Sequence, residues 1–403
     1  MHNLPNSAFE KLKTVLILIL LFWQPICPQK NRSKQTASAT LQNCWTLPLE
    51  ITTDIGIASD NDQNLYIPLV GGKLLASDSG TGKKRWETEL GGDIIAFPMI
   101  SGDYVYTAAK YIVEQSENSF QNENKNGKNG LTILRALDKT TGVTHWQRVL
   151  APAEKLYLFD FESRIVSVSD NGQMDSVDKI DGKIVWRKQL KTNLSAPPLV
   201  KDAEIFLGTA DNRILKLSLA DGRITQQSKT FASPTVIIEN TAKNKLIVGD
   251  RKGNLLSMSN KFDKETKTIA WKLRIGAEIS SITPTVEGLL ISSLDNFVYL
   301  ISEDGGKPLW KKRFSGRIIA APLIVGNYFI ISATDESFAV IAELNGGRSV
   351  NKLSLEDGDF FTGLSLKTGN LLVYSTLKGV FGYSFDSDGC QINRKSEEQK
   401  DER

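Results

Sequence analysis

Two stretches decide the fold: ASDSGTGKKRW at residues 76–86 and ALDKTTGVTHW at residues 136–146. Both fit the pattern A-x-D-x-x-T-G-x-x-x-W without a gap, so a glycine in a polar turn precedes a tryptophan by four residues in each. Shorter versions of the pattern end in a tryptophan at residues 178–186, 263–271 and 306–310. Because self-similarity at a fixed period is the signature of repeat architectures, the chain is predicted to be a repeat protein.

The tryptophan position of this pattern recurs along almost the whole chain. Successive positions lie 39 to 45 residues apart, except for one interval of 60 residues that contains the polar insertion 114–130. A period of about 40 residues is that of a four-stranded propeller blade. In two decayed copies the position is assigned to Gln226 and Val350. The repeat residues are Trp45, Trp86, Trp146, Trp186, Trp271 and Trp310, with Gly82, Gly142 and Gly182 in the preceding turns.

Residues 195–226 show how one repeat divides into strands. Apolar runs at residues 196–200, 204–209 and 213–218 are separated by short polar turns, and Asp221-Gly222 leads into a fourth, outer strand. Such Asp-Gly and Asn-rich turns supply the positive φ angles that tight hairpins need. A tryptophan and the apolar residue four positions later share one face of the outer strand, which we expect to pack against the neighbouring blade.

Both ends of the repeat region contribute to the last blade. Residues 43–49 form an outer strand with no blade before them, and the last repeat lacks an outer strand after Gly389. Joining the two predicts an all-β fold, an eight-bladed β-propeller of four-stranded antiparallel blades that is closed by the N-terminal strand. Cys44 and Cys390 then lie two positions apart in the composite blade and are predicted to form a disulfide, the alternative being two free buried thiols.

The N-terminal residues are typical of an export signal. Lys11 and Lys13 precede the apolar run 15–23, which is shorter than the roughly 20 residues of a membrane span. Three outcomes stay open: lipidation at Cys27, cleavage near residues 37–39, and an uncleaved anchor. The predicted organisation is a signal or anchor segment at 1–27, a polar tether at 28–42, the propeller at 43–391 and a charged tail at 392–403.

Composition argues against several classes of partner and of catalytic site. The 403 residues have a formal net charge of +3, which gives no reason to expect nucleic acid as a partner. Two histidines exclude a multi-histidine metal site and most His-based catalysis, and three scattered cysteines are too few for a zinc cluster. His145 is interpreted as a surface residue beside Trp146. The repeat aspartates, Asp78, Asp138 and Asp178, are interpreted as turn caps rather than catalytic carboxylates.

The repeat resembles the tryptophan-docking motif of pyrroloquinoline-quinone (PQQ) propellers, and the resemblance covers residues 43–390. That group includes quinoprotein dehydrogenases, which hold PQQ and calcium, and non-enzymatic binding propellers such as the BamB outer-membrane assembly lipoproteins. The dehydrogenases carry a pair of adjacent cysteines beside the quinone, whereas no two cysteines are adjacent here. No EF-hand-like spacing for calcium is visible either. The resemblance therefore implies a BamB-like protein rather than an enzyme.

The expected function is that of an exported, periplasmic scaffold that binds protein partners in the cell envelope without a cofactor or catalytic residues. We expect a monomer that is tethered to a membrane through its N-terminus. The alternative is a propeller that binds PQQ or another small ligand, as a relative of the quinoprotein dehydrogenases. A surface sensor is a third alternative, which the lack of a second domain in the sequence disfavours. The insertion 114–130 is either a contact loop or a tolerated surface insertion.

Overall fold

A computed structural model shows eight antiparallel β-sheets that follow one another around a ring. The structure describes residues 41–49, 53, 55–112, 130–240, 245–262, 269–318, 320–334, 336–356, 359–368, 371–385 and 390. All of them belong to one compact unit, Ala39–Arg403. Within these ranges, no helix is long and apolar enough to cross a bilayer. The apolar run 15–23, Cys27 and the interior of the insertion lie outside the described residues.

The blades are numbered in chain order, and within each blade the strands are given from the channel outwards. The strands of blades 1 to 4 are β2 (Ala58–Ser59), β3 (Asn64–Leu69), β4 (Lys73–Asp78) and β5 (Lys84–Glu89); β6 (Asp93–Ile94), β7 (Met99–Ser101), β8 (Tyr104–Ile112), β9 (Gly130–Asp138) and β10 (Thr144–Leu150); β11 (Leu156–Phe161), β12 (Arg164–Ser169), β13 (Gln173–Asp178) and β14 (Ile184–Gln189); β15 (Leu199–Lys201), β16 (Glu204–Thr209), β17 (Arg213–Ser218) and β18 (Ile224–Lys229).

The remaining strands complete blades 5 to 8. They are β19 (Pro234–Asn240), β20 (Lys245–Asp250), β21 (Asn254–Ser259) and β22 (Ile269–Arg274); β23 (Ile279–Thr285), β24 (Gly288–Ser293), β25 (Phe297–Ile301) and β26 (Pro308–Arg313); β27 (Leu323–Val325), β28 (Tyr328–Ser332), β29 (Phe338–Glu343) and β30 (Ser349–Ser354); β31 (Phe361–Thr368), β32 (Leu371–Thr376), β33 (Gly379–Ser384) and, from the other end of the chain, β1 (Gln42–Pro48).

Blade 8 closes the ring with strands from both ends of the chain. Its order is β31-β32-β33-β1, and β1 runs antiparallel to β33 with Trp45 opposite Gly382. The predicted eight-bladed propeller closed by the N-terminal strand is therefore confirmed. Because the first strand completes the last sheet, no blade lacks its outer strand.

The hydrophobic core lies between the blades rather than at the centre of the ring. Eight clusters of buried side chains each join one blade to the next in chain order, and one of them packs Trp45 and Val373 of blade 8 against Ile57 and Leu65 of blade 1. The middle strands are buried on both faces for this reason; five successive residues of β12, from Ile165 to Ser169, are buried. Side chains from neighbouring sheets thus hold the ring together.

Proline interrupts the strands nearest the channel. In blade 2 this strand is divided into β6 and β7, which both pair with β8, and Pro98 lies between them. In blade 4 the strand begins at Leu199 and not at Ala196 as predicted, after two prolines. Proline has no backbone N–H to donate to the ladder, so it ends regular pairing at these edge strands.

One residue of the predicted repeat is corrected. The sequence pattern assigned the tryptophan position of blade 7 to Val350, but Asn351 occupies it. Asn351 pairs with Ile341 just before the bulge of that hairpin, as Trp310 pairs with Leu300 in blade 6. Of the two glycines in the turn, Gly347 has the place of the repeat glycine, because it packs against Trp310 of the preceding blade. The extra glycine shifted the count by one residue.

Candidate functional site

The repeat tryptophans form a structural joint between consecutive blades. The indole of Trp146 packs on Gly182 in the turn of blade 3, and a Cβ on this glycine would lie 2.5 Å from Trp146 Cε3. The indole Nε1 also donates a hydrogen bond to a backbone carbonyl in the same turn. These bonds run from Trp45 to Ser79 (3.0 Å), Trp86 to Lys139 (2.9 Å), Trp146 to Lys179 (2.8 Å), Trp271 to Glu303 (3.1 Å) and Trp310 to Leu344 (2.8 Å).

Trp186 makes the same packing contact without the hydrogen bond. Its ring lies near Gly222 in the turn of blade 4, where an added Cβ would be 2.9 Å from Trp186 Cζ3. Its Nε1 is buried and has no partner among the described residues. Gly82 and Gly142 contact Trp45 and Trp86 in the usual way. The tryptophans and glycines of the repeat thus serve the packing of one blade against the next.

The repeat aspartates cap turns. One carboxylate oxygen of Asp78 accepts hydrogen bonds from the backbone N–H groups of Gly80 and Thr81 and from the Thr81 hydroxyl, each at 2.9 Å. Its other oxygen accepts a bond of 2.6 Å from Arg85. Burial alone would raise the pKa of Asp78, but these bonds outweigh it and hold the pKa below its ordinary value. Such a carboxylate is committed to the turn and does not suit acid–base catalysis.

The other candidate residues also make contacts that stabilise the fold. Asp138 accepts the same bonds from Thr140 and Thr141, and Asp178 accepts one from Ile180. The His145 ring is exposed, stacks on Tyr104 with centroids 4.9 Å apart, and contacts the Ile180 carbonyl at 3.2 Å. These residues do not converge on a common site.

The two cysteines at the closure are joined. Cys44 in β1 and Cys390 form a disulfide with their Cα atoms 5.2 Å apart, across a sequence separation of 346 residues. The bridge links the first strand of the chain to the segment after β33, so it spans the place where the ring closes. It lies on the outer side of blade 8 and has no part in the channel.

An apolar recess of about 790 Å³ opens where the inner strands of blades 1 to 3 face the channel. Phe97 and Met99 contribute from blade 2, Tyr157 and Phe159 from β11 in blade 3, and Ile57 from blade 1. The Phe97 side chain is 50% exposed. The Leu156 N–H donates to the Ile95 carbonyl at 3.0 Å, which fixes the inner strands of blades 2 and 3 to each other at the recess. We call this site the inner recess.

A few polar groups surround the inner recess. The Lys155 ammonium lies 5.4 Å from the centroid of the Tyr157 ring, and Glu154 is ion-paired with Lys110 at 2.5 Å. The backbone N–H groups of Glu154 and Lys155 both donate to Asp170, at 3.1 and 3.2 Å, which holds the start of β11 in place. Burial, with the nearby Asp170 carboxylate, raises the pKa of Tyr157 to about 12, so its hydroxyl stays protonated at neutral pH. The site is thus apolar with hydrogen-bonding groups at its edge.

The recess does not fit PQQ with calcium. PQQ is a planar quinone with three carboxyl groups, and calcium prefers several oxygen ligands at once. Lys155 is the cation among the lining residues, and the Glu154 carboxylate is already engaged by Lys110. Among the described residues, no three His, Cys, Asp or Glu side chains are grouped as metal ligands would be. We therefore derive no quinone chemistry at this site.

Sequence reasoning did not find the inner recess. Its residues come from blades 1 to 3 and, with Pro198, from the start of blade 4, and none belongs to the tryptophan pattern. The available signal was Phe97-Pro98 in the strand nearest the channel, where a large apolar residue precedes a strand-breaking proline. An aromatic residue at such an interrupted edge has no neighbouring strand to cover it.

The ring, its closure and its tryptophan joints define a PQQ-like repeat propeller. The family model described as "Outer membrane protein assembly factor BamB" matches residues 34–161, 132–262 and 257–356. The chain therefore belongs to the family of outer membrane protein assembly factor BamB.

Individual relatives are distant in sequence. BamB of Yersinia pestis is 23% identical over 336 residues, which are 78% of this chain and 80% of that protein. BamB of Moranella endobia (strain PCIT) is 18% identical over 297 residues, 69% of each chain. The crystal structure of BamB from Moraxella catarrhalis aligns with a TM-score of 0.64 and 17% identity, over 87% of this chain and 99% of that one. The computationally designed Ika8 protein aligns with a TM-score of 0.66 and 13% identity, over 86% and 100%.

Proposed function

We propose that this chain is an exported, non-enzymatic scaffold that binds a protein partner during the assembly of outer membrane proteins. The observation that carries the proposal is the family match, which extends from residue 34 to residue 356 and so takes in most of the ring. The matched relatives are named as outer membrane protein assembly factors. A rigid ring with exposed loops and a lined channel is a suitable platform for such binding.

Export and anchoring belong to the proposal. Support comes from Lys11 and Lys13 before the apolar run 15–23, and from a disulfide that needs an oxidising compartment. The three outcomes for the N-terminus, lipidation at Cys27, cleavage near residues 37–39 and an uncleaved anchor, differ in the mass of the mature protein. Intact-mass measurement of protein isolated from the cell envelope distinguishes them.

The non-enzymatic part of the proposal is supported by the side chains that could have served catalysis. Asp78 and Asp138 are bound to their own turns, and His145 lies on the surface. Purified protein incubated with PQQ and calcium is expected to show neither bound-quinone absorbance nor dye reduction. Stoichiometric uptake of the quinone would overturn this part of the proposal and leave the fold unchanged.

The inner recess is the surface that we assign to the partner. Its lining is apolar and includes the exposed Phe97. Beside it, β11 is the inner edge strand of blade 3, which pairs with β12 on one side and is bridged to blade 2 on the other at its first residue, Leu156. An edge strand can add an extended segment through its free backbone groups, while apolar side chains of the added segment enter the recess. Strands of outer membrane barrels alternate apolar and polar residues, so one face of such a strand matches this lining.

Photocrosslinking tests the assignment. A photoreactive amino acid in place of Phe97 is expected to form adducts with outer membrane proteins or their assembly machinery in living cells, identified by mass spectrometry. The control places it at Val143, which is 65% exposed in the last turn of blade 2, away from the channel. Equal adducts from both positions, or none from Phe97, would contradict binding at the recess.

The insertion 114–130 is the second surface to test. We propose that it is a tolerated insertion, with a contact loop as the alternative. Deleting it is expected to leave partner capture from envelope extracts unchanged. Loss of capture, with the thermal unfolding of the ring preserved, would favour the contact loop.

A further inference from the structure

The outer strands of blades 4 to 7 carry a row of cations at equivalent positions. Positions one and three after the tryptophan position lie on the opposite face of the outer strand from the tryptophan. In these four blades they carry six basic residues and no acidic one, whereas blade 1 has Glu87 and Glu89 there. We call this set the cationic rim. It consists of Lys229, Lys272, Arg274, Lys311, Arg313 and Lys352.

The cations of the rim are exposed and free of carboxylate partners. All six residues are exposed, and no described carboxylate lies within ion-pair distance of any of them. Arg187, at the same position in blade 3, shows the contrast, because its guanidinium is bound by the buried carboxylate of Asp175. The rim therefore presents positive charge that the ring itself does not neutralise.

Aromatic rings hold three of these lysines in place. The Lys272 ammonium lies 3.5 Å from the centroid of Phe231, that of Lys352 lies 4.0 Å from Phe338, and that of Lys311 lies 5.3 Å from Phe297. A cation over an aromatic face keeps its charge while its side chain loses freedom. Phe231 and Leu309 are 52% and 54% exposed, so apolar groups accompany the charges at the rim.

From these observations we infer that the cationic rim binds the anionic phospholipid headgroups of a membrane surface. Basic residues interspersed with exposed Phe and Leu are the composition of protein surfaces that lie in a membrane interface. The charges spread over the outer edges of four consecutive blades and do not converge on a recess, which suits a layer of headgroups better than a single acidic peptide.

The place where the N-terminus enters the ring supports this occupant. The inference rests here on the proposed function, in the two of its three outcomes (lipidation at Cys27 or an uncleaved anchor) that leave residues 28–42 between the ring and a membrane anchor. This segment leads into β1, the outer strand of blade 8, and blade 8 packs directly against blade 7 of the rim. Fifteen residues span at most about 50 Å when fully extended. An anchored ring would therefore have its rim within reach of the bilayer.

The test compares full-length variants on phosphatidylcholine vesicles with and without phosphatidylglycerol. The rim variant Lys272→Gln/Lys311→Gln/Lys352→Gln is matched by Lys83→Gln/Lys191→Gln/Lys252→Gln, which removes the same charge from exposed lysines elsewhere. Each rim cation is expected to contribute about fivefold to partitioning onto anionic vesicles. The rim variant should thus lose on the order of 100-fold at low salt. The control variant should bind like the unmodified chain, and neutral vesicles should bind all three alike through the shared N-terminus.

Other outcomes overturn the inference. If the rim variant binds anionic vesicles as the control does, the rim does not contact lipid. If all chains ignore the added phosphatidylglycerol but polyglutamate binds in a rim-dependent way, the partner is an acidic protein. Crosslinking from position 97 in the rim variant distinguishes a failure of this inference from a failure of the proposed function. Capture of a protein at the inner recess does not depend on the rim, so it persists if only the inference is wrong. Unchanged thermal unfolding verifies that each variant is folded.

Discussion

The indole of Trp146 covers the α-carbon of Gly182 in the next blade and donates a hydrogen bond of 2.8 Å to the Lys179 carbonyl in the same turn. The contact requires glycine for two reasons. The backbone there has a φ of +65°, and the ring occupies the space of a Cβ. One turn residue and one ring from different blades thus fix the spacing between neighbouring sheets.

Replacing Gly182 by alanine separates these two reasons. Gly182→Ala introduces a Cβ 2.5 Å from the Trp146 ring, whereas Gly102→Ala has a similar φ of +60° and nothing within 4 Å of the new atom. Gly102→Ala is expected to lower the free energy of unfolding by about 1–2 kcal/mol through the backbone alone. Gly182→Ala should lower it by about 1–3 kcal/mol more. Urea denaturation measures both changes in the free energy of unfolding. Equal changes would mean that the indole moves away from the new methyl group without destabilising the fold.

The hydrogen bond of the joint can be isolated by a pair of tryptophan substitutions. Trp146→Phe removes the donor to Lys179 and leaves that carbonyl unpaired, while Trp186→Phe removes an Nε1 that has no partner among the described residues. The first change is expected to cost about 1 kcal/mol more than the second, because both changes remove the same ring atoms but only Trp146 gives up a hydrogen bond. Thermal and urea unfolding of the two variants give the difference. A larger loss for Trp186→Phe would contradict this assignment of the bond.

Breaking the bridge between Cys44 and Cys390 is expected to destabilise the ring at its closure. The disulfide joins residues 346 apart, so its removal frees a long loop in the unfolded chain. Cys44→Ser/Cys390→Ser should lower the free energy of unfolding by about 2–5 kcal/mol. Reductant should destabilise the unmodified chain and leave the double variant unaffected.

Alkylation without reductant tests the bridge directly. With Cys27→Ser as background, mass spectrometry of protein from the oxidising compartment should find no modified cysteine. Two modified thiols would show that the pair is reduced there. The unfolding measurements with and without reductant and the alkylation therefore report independently on whether the closure is covalent.

Asp78 predicts a pH dependence of stability. Although burial would raise its pKa, the bonds from Arg85 and Thr81 hold the pKa below its ordinary value of 3.8. A carboxyl whose pKa is lower in the folded state stabilises the fold above the unfolded pKa, and this contribution is lost as the pH falls through the folded value. Asp78→Asn should therefore be less stable than the unmodified chain at pH 7, with the gap closing below about pH 4. Urea midpoints over this range measure the gap, and a constant gap would contradict the role of ionisation.

The sequence predicted the ring because its decisive contacts are local and repeated. A turn glycine four residues before a tryptophan specifies the joint between blades, and the spacing of about 40 residues sets the blade length. The closure followed from a surplus strand at residues 43–49 and a missing one after Gly389. Where two glycines stand together, at Gly346 and Gly347, the pattern alone could not show which one faces the indole, and Val350 was assigned in place of Asn351.

The surfaces were harder to predict than the blades. The inner recess assembles Ile57, Phe97 and Tyr157 from three repeats, and their proximity depends on how the inner strands meet at the channel. The cationic rim was hidden by the overall net charge of +3, because acidic residues elsewhere in the sequence balance it. Both surfaces can be recognised only when the positions of the blades relative to one another are known, and composition does not give these positions.

The closure of blade 8 imposes an order of events on folding. The strand Gln42–Pro48 is made before the rest of the ring, but the sheet that it completes is the last to be made, since β33 ends at Ser384. Its partner strand is therefore missing until nearly all of the chain has been made. Until then the backbone edge of β1 has no partner strand and is exposed to aggregation. The final pairing joins the most distant parts of the chain, so we expect it to be the slow step of maturation.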